Sequence, residues 1–313
     1  MNHEKIYEDL QPQLAALEDL RSECRRKSKV AYYFFAGAIL TVAGFHYFLG
    51  SETAKPWTFL GVILFVIGGA IYTKQVKRYE SEVKQQIIPV IVGTISPGVA
   101  YDGEHHVEET EYNNSRLFPR ADRYRGEDLL HGRLGATDFK ISEIHTQRKR
   151  RTKKKTKYTT LFRGVFMVAD FHKHFNGRTQ VLPDTAERLF GHFLGRKIQK
   201  TGRQGMELVE LEDVDFEKEF AVYSSNQTEA RYILSMSLMR RILKLKQSWD
   251  SNIYISFSDG KIYLAIRTTK DFFKVSFYKP ITVQKIWVYL EELLACLDMV
   301  EELNLNLRIW SKE

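Results

Sequence analysis

VAYYFFAGAILTVAGFHYFL, residues 30–49, runs twenty positions without an Asp, Glu, Lys or Arg. As an α-helix it reaches about 30 Å, the thickness of a bilayer's hydrocarbon core. WTFLGVILFVIGGAIY, residues 57–72, adds sixteen uncharged positions. It is short for a span, but Pro56 and Thr73 extend it and a hairpin partner relaxes the length requirement. Two buried core helices are the competing reading, yet a soluble core helix is rarely apolar on every face. A signal peptide fits poorly, because the first stretch is too long and a second follows at once. The flanks decide. Arg21, Arg25, Arg26, Lys27 and Lys29 precede the pair, Lys74, Lys77 and Arg78 follow it, and GSETAKP between carries one Glu and one Lys. That asymmetry places both ends in the cytoplasm and the short loop outside. The expectation is therefore a multi-pass inner-membrane protein with both termini cytoplasmic.

Gly37 and Gly44 lie seven apart in the first span, as do Gly61 and Gly68 in the second. Two helical turns return each pair to one face, where small residues allow close packing.

Outward from the spans, residues 1–29 read as a cytosolic helix with Leu14, Leu17 and Leu20 in register. Residues 73–96 read as a juxtamembrane helix striped by Val76, Tyr79, Val83 and Ile87. Pro89 marks a kink or an end. The transmembrane hairpin occupies 30–72, and 97–313 is expected to be a cytosolic α+β domain with a joint near KTGRQG, 200–205. Within it, 107–118 predicts a short helix, and 137–147 and 158–171 predict strands. Asp184 is placed to cap a helix over TAERLFGHFLGRKIQ, and ELVELEDV and FEKEFAVY carry strand signals. QTEARYIL and a helix capped by Ser235 follow. Asp259–Gly260 predicts a type I′ hairpin. FFKVSFYKPI predicts a further strand, and 282–303 a long amphipathic helix. Strands and helices in clusters favour α+β over a doubly wound sheet. Two unpatterned cysteines, Cys24 and Cys296, imply neither a disulfide framework nor a zinc site.

RKRRTKKKTK, 148–157, carries as much positive charge as the chain's net +8, so basicity is local. Arg148, Lys149, Arg150, Arg151, Lys153, Lys154, Lys155 and Lys157 are expected at a hairpin tip. A solvated loop is one reading and anionic lipid another, since each cation near a negative leaflet adds about 1 kcal/mol. Nucleic acid is disfavoured, because the run has no interleaved aromatics and lies in no known binding motif.

The polar clusters are less directive. His105 and His106 in DGEHHVEETE are adjacent and do not face one another on a helix. His172 and His174 in ADFHKHF share a strand face with Asp170, but no further ligands can be named. RYRGED and HGRLG, 123–135, bring Arg, Glu, Asp and His close enough for a buried polar network or a catalytic set, but read more simply as turns marked by Gly126, Gly132 and Gly135. No phosphate-loop, dinucleotide, zinc-protease or nucleophile-elbow motif is present in the sequence. No catalytic residue, metal ligand or cofactor is assigned. An enzyme reading, hydrolase-like, would rest on Asp128, His131, Asp170 and His172.

SRLFPRADRYRGEDLLHGRLG (115–135), FRGVFMVADFHKHFNGRTQVLPD (162–184), FEKEFAVYSSNQTEARYILSMSLM (216–239) and SFSDGKIYLAI (256–266) resemble the bacterial membrane-protein family catalogued as domain-of-unknown-function family 3137. The resemblance runs from the apolar pair to the terminal LNLRIW. It implies a bacterial membrane protein with a cytosolic α+β domain, and an envelope partner of LemA type. The family has no assigned activity, so it carries over no site residue.

Overall fold

In the computed structural model, the apolar stretches and their polar flanks form continuous helices: α1, His3–Thr53, and α2, Lys55–Ile95. The structure describes residues 3–53, 55–151, 155–171, 175–183 and 205–303, with side chains from Leu10 onward except those of 49–56. No break separates the 1–29 helix from the first stretch or the 73–96 helix from the second, and α2 passes through Pro89. The chain divides into two units, Met1–Ile91 with Phe273–Tyr289, and Val92–Phe272 with Leu290–Glu313.

In the helical unit α1 and α2 run antiparallel. Phe45 stacks on Trp57 at 3.9 Å, and Glu23 pairs with Arg78 at 3.4 Å. A Cβ built on Gly61 would lie 2.5 Å from Val42 Cγ2, and one on Gly68 2.9 Å from Phe35 Cε1. Both glycines let the helices approach, as their spacing predicts. The first stretch contributes Ala31 and Ala38 to this seam, whereas Gly44 has nothing within 4 Å. Toward the polar ends the seam is sealed by Leu10, Leu17, Cys24, Tyr79, Val83 and Ile87, all buried. The expected strand over FFKVSFYKPI is a correction: 272–281 forms turns. Its alternation is real, since Phe273, Val275 and Phe277 are buried, but they fill gaps against helices and make no ladder. The Phe277 ring lies 6.0 Å from those of Tyr72 and Tyr79, and Arg21 donates to the Tyr278 carbonyl at 3.0 Å.

The second unit is built on one antiparallel sheet. Its nine described strands are β1 Val99–Asp102, β2 Arg123–Leu134, β3 Thr137–Arg151, β4 Thr156–Asp170, β5 Thr179–Pro183, β6 Glu207–Leu208, β7 Phe220–Ser224, β8 Ile253–Ser258 and β9 Lys261–Arg267, in the order β1-β2-β3-β4-β9-β8-β5-β7-β6. The described helices are α3 Glu109–Asn114, α4 Val214–Glu219, α5 Gln227–Ile233, α6 Met236–Trp249 and α7 Val283–Glu302, which belongs to this unit from Leu290. Segment 123–135, expected as turns, is largely β2. Its glycines sit inside a strand because Gly126 must pass close to the Glu143 carbonyl, where a Cβ would lie at 2.7 Å. FEKEFAVY splits into α4 and β7, since Asp213 caps the amides of Asp215 and Phe216 and starts a helix. Asn226 and Ser235 likewise cap α5 and α6. Asp259 and Gly260, at φ 55° and 71°, make the left-handed turn that the hairpin requires. The helix expected after Asp184 and most of the 200–205 joint lie outside the described residues, as does the terminal LNLRIW beyond Leu303.

Central strands β4, β8 and β9 are buried on both faces. One face holds an aromatic core of Tyr112, Phe118, Phe162, Phe166, Tyr254 and Tyr263. On the other lie Ile253, Ile255, Phe257, Ile262, Leu264 and Ile266, all fully buried.

Candidate functional site

Strand parity brings an acidic residue inward. On β3, Phe139, Ile141 and Glu143 share a face, and the first two are buried. Glu143 accepts from the Phe272 amide, yet burial pushes its pKa up from 4.5 to about 8, and the charges of Asp128, Asp271 and Glu127 push the same way. Asp128 sits at the irregularity where β2 slips against β3 between Glu127 and Leu130. It adopts φ 60°, a conformation Asp tolerates better than most residues, is 3% exposed, and accepts from the Tyr101 hydroxyl. From α7 come Glu292, also 3% exposed and 3.4 Å from Lys270, and Cys296. Burial raises the Cys296 thiol, and Glu143, Glu292 and Asp128 add to it. Burial thus disfavours the thiolate, the reactive form of this side chain.

Lys270 and Phe272 also line a cleft of about 750 Å³ with Lys244, Trp249, Asp298 and Glu301. The Trp249 and Phe272 rings lie 5.9 Å apart, and Lys270 sits 5.1 Å over Phe272. Aromatic walls with a few charged groups suit an amphipathic ligand or a peptide side chain.

The residues singled out from sequence are dispersed. His131 is exposed on β2 opposite Lys140, and Asp170 ends β4 opposite Lys261. With β3 between their strands they stand about 10 Å apart or more. His172 and His174 lie outside the described residues. His105 pairs with Asp102 at 2.8 Å, and His106 bonds the Val107 carbonyl at 2.9 Å. Among the described residues no group of three His, Cys, Asp or Glu side chains is placed to hold a metal ion. Cys24 and Cys296 are free and buried.

The basic run differs from expectation in shape. Arg148, Lys149, Arg150 and Arg151 complete β3, Lys155 follows, and Lys157 lies on β4; Lys153 and Lys154 lie outside the described residues. Much of the run is thus ladder, with Arg148 opposite Thr159, Lys149 opposite Tyr158 and Arg151 opposite Thr156. Thr and Tyr are good cross-strand partners, and Arg150 opposite Lys157 is the like-charge pair.

The profile of the family DUF3137, described as a protein of unknown function, matches residues 160–305. It covers the sheet unit from β4 onward and α7, a narrower extent than the resemblance seen in the sequence. No curated protein matches. One solved chain is similar, described as the crystal structure of the mycobacterial trehalose monomycolate transport factor A, TtfA. It is 9% identical, covers 69% of this chain and 95% of its own, and superposes with a TM-score of 0.34.

Proposed function

We propose, on the premise that residues 160–305 carry a DUF3137 domain, that this chain is a membrane-anchored binding or scaffold protein. The α1–α2 hairpin lies in a bilayer with both chain ends cytoplasmic, and the α+β unit presents surfaces to partners. One observation carries the reading. Tyr33, Leu40, Phe48, Phe59, Phe65 and Val66 are all more than half exposed, and 11% of each apolar window is buried. A soluble core helix would bury most of that surface, and leaving it in water opposes folding at roughly 25 cal/mol per Å². Lipid removes the penalty. The basic flanks on the polar side of each helix support the orientation. An inner-membrane address in a bacterium and an envelope partner of LemA type follow from the family resemblance alone.

The hydrolase reading rests on Asp128, His131, Asp170 and His172; Asp128 is buried, His131 and Asp170 stand two strands apart, and His172 lies outside the described residues. The amphipathic cleft beside Trp249 and the basic β3–β4 ribbon suit binding better.

Topology tests this directly. In a Cys24→Ser, Cys296→Ser background, Glu52→Cys should react with a membrane-impermeant maleimide on intact cells, and Lys77→Cys only after permeabilisation. Labelling of Lys77→Cys on intact cells would reverse or abolish the proposed anchor.

A further inference from the structure

The ladder register assembles cations that the sequence keeps apart. Arg125 on β2 lies directly opposite His145 on β3, and His145 lies opposite Arg163 on β4. Directly opposed residues of neighbouring strands point to the same face. Arg125 and Arg163 are exposed, and His145 is half-buried between them with Nε2 3.2 Å from Thr160 Oγ1. The same face continues outward through Gln147, Lys149 and Arg151 on β3. Arg123, opposite Gln147, joins it and lies 3.5 Å over the Tyr158 ring. Inward, burial on this face ends at Glu143, so the strip beyond is open sheet.

No carboxylate among the described residues pairs with Arg125, Arg163, Arg123 or Arg151. Five guanidinium or ammonium groups and an imidazole therefore share one exposed face and outnumber its carboxylates, Asp122, which accepts from the Lys149 amide at 2.7 Å, and Glu127 at the inner end. Period-2 alternation sends Arg148, Arg150 and Lys157 to the opposite face, so the sequence run is divided and only Lys149 and Arg151 of it join this cluster.

We propose that the Arg125–His145–Arg163 rung, extended by Arg123, Lys149 and Arg151, is a binding site for the phosphate of an anionic lipid headgroup. Two arginines flanking a central imidazole offer forked donors from both sides of one anion. His145 donates from whichever ring nitrogen faces it. Its pKa is lowered by burial and by Arg163 and Arg125, and a bound phosphate supplies the missing counter-charge. Lipid is favoured over nucleic acid because Tyr158 is already covered by Arg123 and leaves no free aromatic platform for bases on this strip. The proposal rests on the membrane anchor, which tethers the chain to a leaflet.

The test uses the full chain in nanodiscs of phosphatidylcholine alone or of phosphatidylcholine with phosphatidylglycerol, and reads arginine modification by phenylglyoxal with mass spectrometry. Modification of Arg125 and Arg163 should slow about fivefold or more in the anionic discs, matching the contribution of a cation held at a charged surface. Arg240, exposed on α6, is the internal reference. The double variant Arg125→Gln, Arg163→Gln, altered only at exposed positions, should lose most of the protection at Arg151. Equal rates in the two discs overturn the site, as does equal slowing at Arg240. Protection in neutral discs by inorganic phosphate alone, or by an RNA oligomer alone, overturns the lipid assignment. Failure of the protein to co-elute with discs is a different result, and removes the anchor itself.

Discussion

Glu143 is a carboxylic acid kept where an apolar residue would pack. In the fold it holds its proton up to about 8, and in the unfolded chain it releases it near 4.5. Between those values the native state binds more protons than the unfolded one, so stability falls as pH rises through this window. Glu143→Gln removes the penalty while keeping an acceptor for the Phe272 amide. Thermal unfolding of the detergent-solubilised full chain should show the variant level with its parent at pH 4.5 and more stable at pH 8, by on the order of 2 kcal/mol. A gap that does not change with pH would contradict the burial of this group. The sequence reading passed over this residue, although the Phe139–Ile141–Glu143 alternation was the signal that could have found it. Glu292 similarly lies on the stripe with Tyr289, Leu293 and Cys296 in α7. The Arg125–His145–Arg163 rung was not legible, because its members are brought together only by the register of three strands.

Among the elements, periodicity and capping carried the most information. Asn226 and Ser235 start helices where their side chains can satisfy free amides, and Asp259–Gly260 turns a hairpin because both positions require left-handed backbone. Strand β2 escaped notice since RYRGEDLLHGRL is charged and twice interrupted by Gly; pairing with β1 and β3 overrides its weak propensity. FFKVSFYKPI failed in the opposite sense, as its alternating apolar residues pack against helices. The helix seam offers a sharp contrast. Gly61→Leu or Gly68→Leu places a side chain against Val42 or Phe35, and should lower the resistance of the full chain to denaturing detergent by about 1–3 kcal/mol. Gly44→Leu and Gly69→Leu, with open space at each Cβ, should leave it within error. Equal effects at all four positions would mean that α1 and α2 do not meet through this face.

For the whole molecule, composition separates two solvents. The helical unit presents apolar side chains along the middle of α1 and α2, whereas the sheet unit buries its apolar residues and exposes charge. The proposed anchor accounts for this division by placing the middle of the helical unit in hydrocarbon. Alkaline carbonate extraction of membranes from cells making the full chain tests this most directly. The protein should stay in the membrane pellet and come into solution only with detergent; a carbonate supernatant holding folded, detergent-free protein would contradict the anchor.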